Sequence, residues 1–121
     1  MPTILFVDDE PHVLATFPRL FRRDPFGVVT ARSAAEALAV IAAQPIDAVV
    51  TDHRMPVMLG AALLAELAQR APHIGRILLT GDMGVVDDAA TGLVAHELLR
   101  KPASADELRA AIASWLARAA A

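Results

Sequence analysis

Five polar residues give this sequence its chemistry: Asp8 and Asp9, Asp52, Thr80 and Lys101. Each stands at or just beyond the end of a short apolar run of the kind that forms a buried strand. The runs are TILFV before Asp8, AVVT before Asp52, ILLT ending in Thr80 and ELL shortly before Lys101. Three carboxylates brought to one crevice repel each other unless a cation intervenes. Magnesium suits them, because it takes oxygen ligands and keeps positions open for phosphate oxygens. Lys101 adds a compact positive charge and Thr80 a hydroxyl donor, both suited to a phosphoryl group. Together with the cation they can neutralise charge on the oxygens of a transferring phosphoryl. One carboxylate then serves as nucleophile and forms an acyl phosphate. Asp52, central and separate from the acidic pair, is the expected acceptor.

The elements that must position these residues follow from the pattern. Thr3–Val7, Val28–Ala31, Ala48–Thr51, Ile77–Thr80 and Glu97–Leu99 read as strands. Pro11 suits a first helical turn, with Val13, Leu14, Phe17 and Leu20 following at helical spacing. Pro18 lies inside that segment, lacks the N–H that would bond to Leu14, and predicts a kink or an early end. Ser33-Ala-Ala-Glu36 is a capping box opening a helix with Leu38 and Ile41 on one face, running to about Gln44. A loop holding Pro56 and Gly60 leads into a helix with Leu63, Leu64 and Leu67. Gly81 and Gly84 mark the next loop, and Val85–Thr91 reads as a short, weak helix ended by Gly92. Ser104-Ala-Asp-Glu107 is a second capping box, opening a last helix with Leu108, Ile112, Trp115 and Leu116 inward.

Five strands alternating with five helices predict a doubly wound α/β fold, a parallel sheet with helices on both faces. In such sheets ligands bind beyond the carboxyl ends of the strands, at the switch point. For the strand order 2-1-3-4-5 that point lies between strands one and three, which end in Asp8-Asp9 and Asp52.

Bulk properties narrow the field. The 121 residues suit one domain, 1–121, and 55% apolar with 21% charged residues is a composition able to build a core. A net charge of −3 carries no basic stripe, so direct binding of nucleic acid is not expected. There is no cysteine, which excludes disulfide and thiolate chemistry. No apolar run approaches the ~18 residues of a membrane helix. Asp8, Asp9 and Glu10 follow the first apolar run too soon for a secretory signal, so a soluble cytoplasmic domain is expected.

The chain resembles, over essentially its whole length, the receiver domain of two-component response regulators. The segments that carry the resemblance are Phe6-Val-Asp-Asp-Glu10, Thr51-Asp-His-Arg-Met-Pro56 with Gly60, Leu79-Thr-Gly81 and Lys101-Pro102. The resemblance implies a flavodoxin-like fold and phosphoryl transfer to Asp52 from the phosphohistidine of a sensor histidine kinase or histidine phosphotransfer protein. It implies magnesium held by Asp9, Asp52 and the backbone carbonyl of Arg54, with Asp8 acting mainly through water. Lys101 would contact the phosphoryl group, Thr80 would swing towards it, and the Lys101–Pro102 peptide would be cis. The chemistry is self-directed: the domain takes a phosphoryl group and later hydrolyses it, without turning over a separate substrate. Phosphorylation is expected to move Thr80 and the Gly81–Gly84 loop. It then changes the surface of the fourth predicted helix, the fifth strand and the fifth helix, through which a homodimer can form. One departure stands out. Three residues before the lysine, where the family often has Tyr or Phe, this chain has Leu98, so an aromatic side-chain readout is not expected.

Other readings fit single features of the sequence. Asp8-Asp9-Glu10 could simply favour a helix N-terminus, and the whole chain could be a receiver-like interaction domain that is never phosphorylated. A flavin phosphate would be repelled by the acidic loop, and the adjacent aspartates do not match an Asp-x-Asp phosphatase. Arg54 and Asp82, each two residues past a site residue, are expected to pair across the mouth of the site and restrict attacking water. His12, His53, His73 and His96 show no metal spacing and read as surface or packing residues. Arg19, Arg22 and Arg23 read as a solvated helix end, and Trp115 as part of the core stripe.

Overall fold

The computed structural model describes residues 1–81 and 95–120. The helix expected over 85–91, its closing Gly92, and Asp82 and Gly84 lie outside the described residues. Five strands, β1 (Thr3–Val7), β2 (Gly27–Ala31), β3 (Ala48–Asp52), β4 (Gly75–Thr80) and β5 (Glu97–Arg100), form one sheet. All pairs are parallel, and the order is β2-β1-β3-β4-β5. This is the expected topology. Several strands extend by a residue or two beyond their apolar runs, taking in Gly27, Asp52, Gly75, Arg76 and Arg100. Ladder pairing with neighbours, rather than hydrophobicity, places those ends.

The described helices are α1 (Pro11–Leu14), α2 (Thr16–Leu20), α3 (Ala34–Ala43), α4 (Gly60–Arg70) and α5 (Ala105–Ala120). Alternation along the strands sends their side chains to two cores. Leu5, Val7, Val49 and Leu78 face α3 and α4, where Leu63, Leu64 and Leu67 are fully buried. Ile4, Phe6, Val50, Ile77 and Leu79 face α1, α2 and α5, meeting Phe17, Phe21, Leu108 and Ile112. Phe6 stacks on Phe17 at 4.3 Å and on Phe21 at 5.5 Å. Every residue of β3 and β4 is buried, as central strands covered on both faces must be.

Local signals act as written. The first helix is broken into α1 and α2 around Ala15, one turn before Pro18. Thr16 donates its hydroxyl to the carbonyl of Val13 at 2.7 Å, and the absent Pro18 N–H leaves the ladder open. At the start of α5 both halves of the capping box form: Glu107 N–H to Ser104 Oγ at 3.0 Å, and Ser104 N–H to Glu107 Oε1 at 3.1 Å. At α3, Ser33 Oγ accepts from Glu36 N–H at 3.1 Å. The amino-terminal ends of β3 and β4 are covered by Trp115, whose indole donates to the Asp47 carbonyl at 3.0 Å and lies so close to Gly75 that a Cβ there would collide with the ring.

Candidate functional site

Register brings the predicted residues together. Val7 pairs with Thr51, so the next residues along, Asp8 and Asp52, come level across β1 and β3. Asp52 pairs with Leu79, and Thr80 pairs with Arg100, so Lys101 follows directly beyond. The Lys101 N–H donates to the Thr80 carbonyl at 2.8 Å, which fixes the end of β5 against β4. The Lys101–Pro102 peptide is cis, as expected.

Asp8, Asp9 and Asp52 each offer a carboxylate oxygen within 4.8 Å of the others. Asp8 and Asp52 are buried; Asp9 is less so. Lys101 Nζ lies 3.1 Å from Asp52 Oδ1 and 4.0 Å from Asp8 Oδ2. Its side chain is 38% exposed, so the ammonium sits at the mouth of the site and not beneath it. Asp8 Oδ1 accepts the Glu10 N–H at 2.9 Å, which turns the chain into α1. Burial raises the Asp8 pKa above the ordinary carboxylate value. The bond from Glu10 opposes this, the charge of Asp52 adds to it, Lys101 opposes it and Asp9 adds again. Three negative groups thus face one ammonium among the described residues. Such a donor set, all hard oxygen and closely spaced, fits a divalent cation such as magnesium.

The cleft above these groups has a volume of about 310 Å³ and is lined by Asp9, Glu10, Asp52, Arg54, Gly81 and Lys101. Thr80 is buried at the end of β4, directly under Gly81. Arg54 is exposed at the rim. Its expected partner Asp82 lies outside the described residues. Leu98 pairs with Leu78 and packs on the core facing α3 and α4, the face to which Thr80, two residues beyond Leu78, also belongs.

Gly60 is what lets α4 approach the acceptor. A Cβ at this position would collide with the carbonyl oxygen of Asp52. The Gly60 N–H donates to the His53 carbonyl at 2.7 Å, and His53 Nδ1 accepts the Ala61 N–H at 3.3 Å. His53 is therefore a buried packing residue that serves the first turn of α4, and burial lowers its pKa. His96 is similar, its Nδ1 accepting the Arg76 N–H at 2.9 Å. His12 and His73 are exposed, as are Arg19, Arg22 and Arg23.

The segment between Asp52 and α4 reads in the sequence only as a loop with Pro56 and Gly60. Val57 has φ 73° and is fully exposed, and Leu59 caps α4 without any side-chain hydrogen bond. A valine in the left-handed region has no sequence signal at all. Leu59 did have one: a leucine where Ser, Thr, Asn or Asp is preferred.

Comparison with known proteins agrees with this geometry. A family profile described as the response regulator receiver domain matches residues 4–113. The transcriptional regulatory protein GlrR of Escherichia coli is 36% identical over 118 residues, covering 97% of this chain and 27% of that protein. PrrA of Mycobacterium tuberculosis, also a transcriptional regulatory protein, is 35% identical over 119 residues, 97% of this chain and 51% of that one. The chain thus spans about a quarter to a half of these relatives. Among solved structures, a response regulator receiver domain protein from Clostridium thermocellum has a TM-score of 0.88 at 36% identity, covering 98% of this chain and 96% of that one. TrrA from Thermotoga maritima, a response regulator solved in complex with Mg(2+)-BeF, has a TM-score of 0.85 at 27% identity, with 95% and 99% covered. Among the described residues no helix is long and apolar enough to cross a membrane.

Proposed function

The chain belongs to the response regulator receiver domain family, and on that premise we propose that Asp52 is its phosphoacceptor. One observation carries this reading: Asp52 ends the central strand with Lys101 Nζ at 3.1 Å and the oxygens of Asp8 and Asp9 within 4.8 Å. A carboxylate oxygen of Asp52 attacks the phosphorus of a phosphohistidine. The new O–P bond forms as the P–N bond breaks, and the imidazole keeps the electron pair and takes a proton. The donor is a sensor histidine kinase or a histidine phosphotransfer protein. Lys101 engages one oxygen of Asp52 beforehand and a phosphoryl oxygen afterwards, and Thr80 donates its hydroxyl to another. Asp8, Asp9, Asp52 and the Arg54 carbonyl would hold magnesium, which supplies charge neutralisation on the phosphoryl oxygens.

Hydrolysis reverses the state. Water attacks phosphorus, the bond to Asp52 breaks, and inorganic phosphate leaves with the carboxylate restored. The domain, 1–121, works as a cytoplasmic switch whose changed surface includes β5 and α5 and supports a homodimer or a partner. It binds no nucleic acid itself.

The test is incubation with magnesium and acetyl phosphate, read by intact mass. The wild type gains one phosphoryl group; Asp52→Asn gains none. A wild type that stays unmodified, or an Asp52→Asn variant labelled equally, defeats the assignment.

A further inference from the structure

The buried His53 ties the end of the acceptor strand to two neighbouring elements. Its N–H donates to the Leu79 carbonyl of β4 at 2.9 Å, and its own carbonyl accepts the Gly60 N–H at 2.7 Å. Its imidazole Nδ1 accepts the Ala61 N–H at 3.3 Å. Gly60 and Ala61 open α4, whose N-cap Leu59 supplies no side-chain hydrogen bond. The first turn of a helix leaves backbone donors without partners, and a capping side chain normally takes one of them. Here a histidine just beyond the end of β3 does so instead.

The two bonds from α4 close the segment from His53 to Ala61 into a ring. Little inside the ring holds it shut. Val57 stands at φ 73°, a conformation that a β-branched residue adopts only against steric resistance. The bond from the Met58 N–H to the Pro56 carbonyl, at 2.8 Å, closes only a local turn. At the closed end, α4 lies so near the Asp52–His53 peptide that a Cβ on Gly60 would meet both the Asp52 carbonyl and His53 Cα. Fixing the first turn of α4 therefore fixes that peptide and the start of the loop after it. Arg54 comes next, and its carbonyl is one of the oxygens that would hold magnesium.

We infer that His53 is a positioning residue for the cation site. Its imidazole holds α4 against the Asp52–His53 peptide, and so steadies the main chain that carries the Arg54 carbonyl. The bond from Gly60 belongs to the backbone and survives substitution of His53; the bond at Nδ1 does not. Without it the Ala61 N–H loses its acceptor, and the first turn is drawn away from Asp52 towards water. The inference rests on Asp52 being the acceptor with magnesium beside it.

Native-state hydrogen exchange of the metal-free wild type is measured first. The Ala61 amide is expected to exchange at least about tenfold more slowly than in an unfolded chain. Magnesium is then titrated calorimetrically into wild type, His53→Leu and His53→Asn. Leucine fills the space without an acceptor, whereas the asparagine oxygen can accept in place of Nδ1. His53→Leu is expected to bind magnesium about tenfold more weakly, the low end of the loss seen when support for a metal ligand is removed. His53→Asn should stay within about threefold of wild type. Acetyl phosphate labelling should show the same split. His53→Leu needs about tenfold more magnesium for its half-maximal rate, with a maximal rate within about twofold of wild type.

An Ala61 amide that exchanges freely in the wild type overturns the inference, and this measurement needs no variant to fold. So does His53→Leu with wild-type magnesium affinity, or His53→Asn as weak as His53→Leu. A lower maximal rate at an unchanged magnesium midpoint also overturns it, since the imidazole would then act on something other than the cation. A wild type that acetyl phosphate never labels removes the acceptor reading, and this inference with it. A labelled wild type whose variants show no magnesium shift removes this inference alone.

Discussion

At the scale of single residues, the site is assembled against electrostatic preference. Asp8 is buried beside Asp52 and Asp9, and its carboxyl is harder to ionise than an exposed one. Its bond from Glu10 orients it without offsetting the burial. Folding therefore loses stability by keeping three carboxylates together, a cost that the proposed cation would offset. Asp8→Asn keeps the shape and removes one charge. In buffer free of divalent ions at neutral pH it is expected to raise stability by about 1 kcal/mol, read from the urea midpoint. A lower midpoint would show that Asp8 is instead a net structural contributor. Gly60 shows the opposite case, a residue that position leaves no freedom. Gly60→Ala drives a methyl into the Asp52 carbonyl, so we expect a loss of about 2–3 kcal/mol together with slower acetyl phosphate labelling. Asp8, Asp9, Asp52, Thr80 and Lys101 were legible in the sequence because the four charges stand abruptly at strand ends, which has few structural explanations, and Thr80 ends a strand beside them. The reason for Gly60 was not, since it depends on how closely a helix passes a carbonyl 8 positions earlier in the chain.

At the scale of elements, the legible parts were those specified by neighbours in sequence. The Ser104 capping box forms in full, and Ser104→Ala is expected to cost about 1 kcal/mol. Pro18 breaks its helix as its missing N–H requires. What sequence could not supply were contacts between distant segments. Arg109 grips Asp24 through two bonds, at 2.7 and 3.1 Å, tying α5 to the turn before β2. His96 lies tilted against Trp115 with centroids 4.2 Å apart while accepting the Arg76 N–H. Only a neutral imidazole can accept at Nδ1. Burial, with Arg76 and Arg118 nearby, holds the His96 pKa below its ordinary value. The unfolded chain thus binds a proton at a higher pH than the native one does. This contribution is complete above the ordinary histidine value of about 6.5 and is lost as pH falls below it. Urea midpoints should therefore drop between about pH 7.5 and about pH 5.5. His96→Asn, whose side-chain oxygen can still accept but cannot be protonated, should flatten part of that drop, leaving the share due to His53. An unchanged slope would mean that the His96 bond gives way at no cost to β5.

For the whole molecule, the sheet order determines which strand ends meet, and the acceptor site is a consequence of that order. Burial of opposite faces by α1, α2 and α5 on one side and α3 and α4 on the other leaves the carboxyl edge open. The open edge carries the uncompensated charge. A ligand that binds only the native state stabilises it by RT ln(1 + [L]/Kd), and the three carboxylates form a cluster only in the native state. Magnesium should therefore raise global stability, by about 1.4 kcal/mol at ten times its Kd. The gain should grow logarithmically with concentration and vanish in Asp52→Asn. Calcium is larger and takes more oxygen ligands in flexible geometry, so its midpoint-against-concentration curve should run apart from that of magnesium. Equal shifts from sodium at matched ionic strength would reduce the effect to screening of surface charge. A magnesium response that survives loss of Asp52 would place the cation away from the acceptor, and the three carboxylates would need another explanation.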